Sequence, residues 1–127
     1  MGVHGTVLIV DDEDLVRWSL RERFLDHGYS VLESGTAARA IDEFIRCAVD
    51  VVLLDCRLPD SDGIAVLRVM KTLSPDAKVI LMTAFPTIEN ASEAAEYGAR
   101  DYLVKPFDLD EVVARVEKLS ADSCPDS

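Results

Sequence analysis

The sequence is poor in cysteine and has no long apolar run, and each shortage argues against a class of protein. Cys47, Cys56 and Cys124 are odd in number and widely spaced, with no Cys-x-x-Cys or Cys/His pattern. This pattern predicts free thiols in a reducing compartment, not a disulfide-stabilised secreted domain or a zinc site. No apolar run approaches the roughly 20 residues that a membrane helix needs, and no signal-peptide pattern opens the chain. We therefore expect a cytoplasmic protein that makes no membrane contact.

Positive charge is also scarce. The chain has 24 Asp and Glu residues against 13 Lys and Arg, which gives a formal net charge of −11. A surplus of this sign repels nucleic-acid phosphates and anionic lipids, so we expect no direct binding to nucleic acid. Hydrophobic residues make up 49% of the 127 residues. This composition predicts one folded domain over residues 1–119, followed over 120–127 by a flexible tail or the start of a linker.

Five short apolar runs alternate with stretches whose apolar residues recur at helical spacing. Apolar runs without alternation are typical of strands covered on both faces, and connections of this length imply parallel strands with right-handed crossovers. We predict an α/β fold, a doubly wound (βα)5 sandwich with its five parallel strands in the flavodoxin-like order 2-1-3-4-5. The predicted strands are 6–10, 29–33, 50–54, 78–82 and 101–104. The predicted helices are 14–27, 63–73 and 87–97, with two others that begin after Thr36 and Asp108.

The last two helices carry more specific predictions. Ile88 is the only large aliphatic residue of the fourth helix, and the other residues of its predicted inner face are alanines. This helix should bury little apolar area and be weakly anchored, which suits a moving part. Asp108 and Glu111 have the spacing of a capping box at the start of the fifth helix.

Polar side chains follow four of the predicted strands at the point where each strand ends. Asp11 and Asp12 follow the first strand, Asp55 the third, Thr83 the fourth and Lys105 the fifth. In open parallel sheets, ligands bind beyond the carboxyl ends of the strands where the strand order reverses. If the first and third strands are neighbours, these side chains converge on one cleft. Three carboxylates there need positive charge, which Lys105 and a hard divalent ion, most suitably Mg²⁺, would supply.

This set of residues is suited to phosphoryl transfer. A carboxylate beside Mg²⁺ can attack phosphorus in line, so we interpret Asp55 as a nucleophile that forms an acyl phosphate. Thr83 offers a hydroxyl donor to a phosphoryl oxygen, and Lys105 offers an ammonium. Each residue alone has an ordinary explanation as a helix cap, a strand end or a surface charge. Their occurrence together at four strand ends favours a shared site.

Motifs at the same strand ends match those of a known family. They are the acidic pair Asp11-Asp12, the hydroxyl of Thr83, the run LDCRLPDSDG at residues 54–63 and the run KPF at residues 105–107. With these motifs, the chain from Val7 to about Leu119 resembles the receiver domain of bacterial two-component response regulators. The segments around Thr83 and Lys105, and Trp18 after Arg17, are similar to receivers of nitrogen-regulation-type, enhancer-binding activators.

The resemblance implies a role for each matching residue. Asp55 is then the phosphoacceptor, and Thr83 and Lys105 assist it. Asp12, Asp55 and the main-chain carbonyl of Arg57 bind Mg²⁺, and Asp11 acts mainly through water. Thr83 and the aromatic Tyr102 form a switch, and the Lys105-Pro106 peptide bond is cis.

The resemblance also implies how the protein works. A partner sensor histidine kinase phosphorylates Asp55, and the acyl phosphate shifts a two-state equilibrium in a phosphorelay switch that is not a turnover enzyme. The fourth helix, fifth strand and fifth helix form the output surface, which controls transcription through a downstream output domain or partner protein. A phosphorylation-linked homodimer is expected. Cys56, Arg57 and Phe85 depart from the commonest pattern, which leaves the acyl-phosphate lifetime open, and His4 and His27 are expected to be surface residues.

Two alternatives remain. A Mg²⁺-dependent phosphohydrolase of the haloacid-dehalogenase kind would also form an aspartyl phosphate, but it needs a second catalytic aspartate two residues after the nucleophile, where Arg57 stands. Flavin or nucleotide binding on the same fold would need a Gly-rich phosphate loop, and the sequence has none.

Overall fold

The structure is a computed structural model that describes residues 5–122, with side chains described through Leu119. Strands and helices alternate along this range, as the sequence predicts. The strands are β1 (Thr6–Val10), β2 (Ser30–Ser34), β3 (Val51–Asp55), β4 (Val79–Thr83) and β5 (Asp101–Val104). The helices are α1 (Asp14–Asp26), α2 (Ala37–Arg46), α3 (Gly63–Leu73), α4 (Ile88–Glu96) and α5 (Leu109–Asp122).

The five strands form one parallel sheet in the order β2-β1-β3-β4-β5. The predicted doubly wound fold and its strand order are therefore confirmed. The order reverses between β1 and β3, and this is where ligands bind in such sheets. Asp55 is the last residue of β3 and Thr83 the last residue of β4, so both side chains lie at the carboxyl edge of the sheet.

The sheet is covered on both faces, which explains why its strands do not alternate in polarity. One face carries α1 and α5, whose buried residues include Phe24 and Val112, and it packs on strand residues such as Ile9 and Leu53. The other face carries α2, α3 and α4, with Leu67 among their buried residues. The sheet is thus packed between two hydrophobic cores, one on each face.

Helix α4 is held by very little apolar surface. Ala94 is its only fully buried residue, and Ile88 is 83% exposed. The expected inward position of Ile88 is wrong, because this residue opens the helix directly after the Thr87 cap, beyond the edge of the core. With no large side chain buried, α4 is anchored even more weakly than the sequence predicts.

The start of α5 also differs from expectation. Asp108 Oδ1 accepts a hydrogen bond from the Asp110 N–H at 2.8 Å, but Glu111 accepts from Arg115 at 2.9 Å. The reciprocal half of the predicted capping box is wrong, because the arginine one turn later offers Glu111 a charged partner.

The described range ends within the last helix. Helix α5 runs to Asp122, so residues 120–122, which the sequence assigns to a tail, are helical. His4 and Cys124 lie outside the described residues. Within the described residues, no helix is both long and apolar enough to cross a bilayer.

Candidate functional site

Three carboxylates meet at the carboxyl edge of the sheet. Asp11, Asp12 and Asp55 each place one carboxylate oxygen within 4.8 Å of the others. Asp11 is fully buried and Asp55 is 6% exposed, whereas Asp12 is exposed. The structure thus brings together the acidic residues that the sequence places at the ends of two neighbouring strands.

The ammonium of Lys105 lies among these carboxylates. Its Nζ is 2.7 Å from Asp11 Oδ2, 3.3 Å from Asp55 Oδ2 and 3.1 Å from Glu13 Oε1. Burial alone would lower the pKa of Lys105, but the hydrogen bond to Asp11 and the charges of Asp11 and Asp55 outweigh burial and raise it. Lys105 therefore carries its charge at any pH near neutrality. The peptide bond that joins it to Pro106 is cis.

The environment of Asp55 opposes its ionisation. Burial and then the charge of Asp11 raise the pKa of Asp55, while Lys105 and the Arg57 N–H act in the opposite direction. The Arg57 N–H donates to Asp55 Oδ1 at 3.3 Å. The contact with the Lys105 ammonium therefore does not fully compensate the burial of Asp55 and the charge of Asp11.

Asp11 is held at each of its oxygens. Its Oδ1 accepts from the Glu13 N–H at 2.9 Å, its Oδ2 from Lys105, and its main-chain carbonyl from Arg17 Nη1 at 2.6 Å. Sequence reasoning missed the parts played by Glu13 and Arg17. Glu13 could have been suspected, since it continues the acidic run, but nothing local to Arg17 signals its contact with the main chain.

The donor set fits a hard cation. Within the described residues, the Lys105 ammonium contacts the carboxylates of Asp11, Glu13 and Asp55, and a fourth carboxylate, that of Asp12, lies within 4.8 Å of Asp11 and Asp55. All available ligand atoms are oxygens, and the exposed Asp12 leaves the cluster open to solvent, which suits an ion that keeps several waters. Mg²⁺ has these preferences, so the residues present fit the ion that the sequence predicts.

Thr83, Arg57 and Phe85 line the opening of the site. An open cavity of about 430 Å³ reaches Asp55 between these residues and Lys105. Thr83 is buried, and its Oγ1 accepts a hydrogen bond from the Phe85 N–H at 3.0 Å. The Arg57 guanidinium lies over the Phe85 ring at 4.7 Å. Thr83 and Asp55 therefore line the same cavity, and the guanidinium of Arg57 covers one side of its opening.

The start of α3 packs directly behind Asp55. A Cβ on Gly63 would lie 2.4 Å from the Asp55 carbonyl oxygen and 2.8 Å from Cys56 Cα, so this close approach requires glycine. Asp62 caps the helix by accepting from the Ala65 N–H at 2.8 Å. Cys56 is buried here, and burial followed by the charge of Asp55 raises the pKa of its thiol to about 11. Cys56 is thus an unreactive thiol at neutral pH.

The loop between β3 and α3 is also tied to a second helix. Asp60 uses both carboxylate oxygens to accept from the first N–H groups of α2, those of Ala37 at 2.8 Å and Ala38 at 3.0 Å. These hydrogen bonds lower the pKa of Asp60. They hold the segment that follows Asp55 against α2.

The remaining predicted residues lie away from the carboxylates. Tyr102 is partly buried on β5 and packs in the core on the α3 and α4 side of the sheet. Burial raises the pKa of its phenol. His27 is exposed at the end of α1, with Nδ1 3.0 Å from the Arg23 carbonyl oxygen.

Comparison with known proteins gives one family. A family model described as the response regulator receiver domain matches residues 7–117. Regulatory protein AtoC and DNA-binding transcriptional regulator NtrC of Escherichia coli (strain K12) are 43% and 39% identical over 112 and 114 residues, and the chain spans 24% of the length of each. Sporulation initiation phosphotransferase F of Bacillus subtilis (strain 168) is 38% identical over 112 residues, which cover 88% of this chain and 90% of that protein.

The fold is likewise shared with solved structures. A CheY-like response regulator receiver domain protein from Methanospirillum hungatei JF-1 superposes with a TM-score of 0.91 at 25% identity. The superposition covers 93% of this chain and 94% of that one.

Proposed function

The chain belongs to the response regulator receiver domain family, and on that premise we propose that Asp55 accepts a phosphoryl group from a sensor histidine kinase. One observation carries the proposal. The carboxylate that ends β3 lies within 4.8 Å of two other carboxylates and 3.3 Å from the Lys105 ammonium, at the edge where the strand order reverses. In this acidic site one ammonium, that of Lys105, contacts Asp55, and a cavity lined by Asp55 opens to solvent, where a phosphodonor could enter.

The transfer exchanges one bond to phosphorus for another. An Asp55 carboxylate oxygen attacks phosphorus in line, the new O–P bond forms, and the N–P bond to the kinase histidine breaks. The imidazole leaves with the electron pair of that bond. Lys105 needs only a small displacement from Asp55 to donate to a phosphoryl oxygen, and the Thr83 hydroxyl donates to another.

Mg²⁺ belongs to the same proposal. Asp12, Asp55 and the main-chain carbonyl of Arg57 would bind the ion, and Asp11 would act mainly through water. When bound, the ion neutralises charge on the phosphoryl oxygens. Asp11, in contact with Lys105, holds the ammonium towards the acceptor.

The response to phosphorylation is proposed to run through Thr83 and Tyr102. The Thr83 hydroxyl now accepts from the Phe85 N–H, and it would turn towards the phosphoryl group while Tyr102 moves inward. Helix α4 follows the loop after Thr83 and buries only one residue, Ala94. A shift of this helix between two positions should therefore cost little free energy, which supports the proposed switch. The α4, β5 and α5 surface would then control output. We propose that this output is transcription through a downstream domain or partner protein, with a phosphorylation-linked homodimer.

The protein is proposed to be a switch that assists its own phosphorylation and dephosphorylation, not a turnover enzyme. The phosphohydrolase alternative needs a carboxylate two residues after Asp55, and the Arg57 side chain stacks on Phe85 there. We also propose that the protein is located in the cytoplasm, because the free thiols of Cys47 and Cys56 fit a reducing compartment.

Acetyl phosphate with Mg²⁺ tests the proposal. We expect one phosphoryl adduct by intact mass, absent without Mg²⁺ and absent in Asp55→Asn. A size-exclusion measurement on the same samples tests the homodimer. An adduct that survives Asp55→Asn, or no adduct in the wild type, refutes Asp55 as the acceptor.

A further inference from the structure

Arg17 contacts the acidic turn, Asp11-Asp12-Glu13 between β1 and α1, from one side of the proposed site. Its Nη1 donates to the Asp11 carbonyl oxygen at 2.6 Å, its Nε to Glu33 Oε1 at 3.2 Å and its Nη2 to Asp14 Oδ1 at 2.8 Å. The side chain is 20% exposed. The three acceptors belong to the turn after β1, to β2 and to α1, so the planar guanidinium is fixed by three separate segments.

The contact with the Asp11 carbonyl reaches Asp12 through the backbone. A peptide unit is planar, and the carbonyl of Asp11 shares its plane with the N–H and Cα of Asp12. A donor that fixes the direction of this carbonyl therefore fixes how the chain enters Asp12. Within the described residues, no side chain donates a hydrogen bond to the exposed Asp12 carboxylate, so its direction depends on its backbone.

We propose that Arg17 is a positioning residue that orients Asp12 towards the cation through the Asp11–Asp12 peptide plane. The role rests on the proposed function, since Asp12 has a ligand to hold only if Mg²⁺ binds there. Groups that orient metal ligands without touching the metal change its affinity by about 10-fold to 100-fold in other proteins. Arg17 acts on the main chain next to the ligand, and we expect an effect at the lower end of this range.

Replacement of Arg17 has two effects on the Mg²⁺ affinity, one from its charge and one from its hydrogen bond, and they act in opposite directions. The removal of a nearby positive charge favours the binding of a divalent cation by Coulomb's law. The loss of the hydrogen bond to the Asp11 carbonyl weakens binding, because Asp12 is no longer held. The sign of the change in Mg²⁺ affinity therefore separates the two effects.

Arg21 provides a matched control. It lies one turn along the same helix, and its guanidinium pairs with Glu33, with Nε 3.4 Å from Oε2, and with Glu22. Neither ion pair reaches the turn after β1. Arg21→Met removes the same charge and an ion pair with the same glutamate. It leaves the Asp11 carbonyl with its donor.

The test is calorimetric titration of the full chain with Mg²⁺, without a phosphodonor. We expect Arg17→Met to raise the dissociation constant about tenfold, and Arg21→Met to leave it unchanged or lower it. Arg17→Lys should fall between the wild type and Arg17→Met, because an ammonium can reach the carbonyl but cannot hold three acceptors at once. Circular dichroism checks that each variant folds. If Arg17→Met does not fold, the dissociation constant of Arg17→Lys is compared with that of Arg21→Met instead.

The outcomes are distinct. If Arg17→Met binds Mg²⁺ as tightly as Arg21→Met does, the positioning role is overturned and Arg17 is only a structural residue. In that case the unfolding midpoint falls while the dissociation constant of the folded protein stays the same. If the wild type itself binds no Mg²⁺, it is the proposed function that fails, and the role of Arg17 fails with it.

Discussion

The guanidinium carbon of Arg57 lies 4.7 Å from the centre of the Phe85 ring. The two residues come from different loops, one after β3 and one after β4, and both line the cavity that reaches Asp55. Phe85 is 61% exposed, so the contact is worth about 0.5–1 kcal/mol. This pair forms a wall of the opening through which water would reach an acyl phosphate on Asp55.

Removal of either partner should therefore shorten the lifetime of phosphorylated Asp55. We expect Arg57→Ala and Phe85→Ala each to raise the hydrolysis rate about two- to fivefold, the equivalent of this contact energy. The double variant should be no faster than the faster single variant, because either change breaks the same contact. The rate is measured by intact mass after the phosphodonor is removed. The proposed ligand atom of Arg57 is its main-chain carbonyl, which Arg57→Ala retains.

A second cation–aromatic pair serves as the control for this experiment. Arg68 lies over the Tyr97 ring at the same 4.7 Å, between α3 and α4. Arg68→Ala should leave the hydrolysis rate unchanged. Rate increases that multiply in the Arg57 and Phe85 double variant would show that the two side chains act independently.

The pKa values of Asp55 and Asp60 shift in opposite directions, and so should the effects of neutralising them. Burial and the charge of Asp11 raise the pKa of Asp55, so the folded protein binds this proton more tightly than the unfolded chain does. Its ionisation destabilises the fold as pH rises above the unfolded value of about 3.9. Asp55→Asn should therefore raise the urea midpoint at pH 7 without Mg²⁺, and the gain should disappear below about pH 3.5.

Asp60→Asn should do the reverse. The Ala37 and Ala38 N–H groups lower the pKa of Asp60, so its ionised form stabilises the fold above the unfolded pKa and this stabilisation is lost as pH falls through the folded value. The urea midpoint of Asp60→Asn should be below that of the wild type at pH 7, with a difference that shrinks in acid. If the two variants shifted the midpoint in the same direction at pH 7, the assignment of opposite charge environments would be wrong.

Gly63 should not tolerate a side chain. A Cβ would meet the Asp55 carbonyl oxygen at 2.4 Å and Cys56 Cα at 2.8 Å, and both are backbone atoms that cannot move aside cheaply. We expect Gly63→Ala to lose about 1–3 kcal/mol of unfolding free energy. Gly35→Ala is the control, since its Cβ would meet only Arg17 Nη1 at 3.4 Å. Equal losses in urea denaturation of the two variants would contradict the close packing behind Asp55.

The topology and the meeting of the strand ends could be predicted because both follow from short-range patterns. Apolar runs locate the strands, and once β1 and β3 are neighbours, Asp11 and Asp55 must lie at one edge. Helical spacing was less reliable at the margins of the core. Leu73 has the spacing of an inner residue of α3 but is the last residue of that helix and is 51% exposed. The contact of Arg17 with the Asp11 carbonyl depends on long-range packing, which no local pattern encodes.

The last prediction concerns the charge balance around Lys105. Lys105→Met leaves the fully buried Asp11 without its cation, and loss of one partner of a buried pair costs about 3–5 kcal/mol. Because Lys105 is 11% exposed and the cluster opens to solvent at Asp12, we expect the lower end of this range. Mg²⁺ supplies positive charge to the same carboxylates, so it should bind this variant more tightly than the wild type and stabilise it more.

The measurement is thermal unfolding with and without Mg²⁺. The stability deficit of Lys105→Met should shrink as Mg²⁺ is added, while its phosphorylation by acetyl phosphate stays slow, since the ammonium that would contact the phosphoryl oxygen is gone. Lys71→Met is the control, because the Lys71 ammonium donates to the Ala77 carbonyl and its deficit should not depend on Mg²⁺. An equal Mg²⁺-induced shift in the wild type and in Lys105→Met would mean that the ion and the ammonium do not share the same carboxylates.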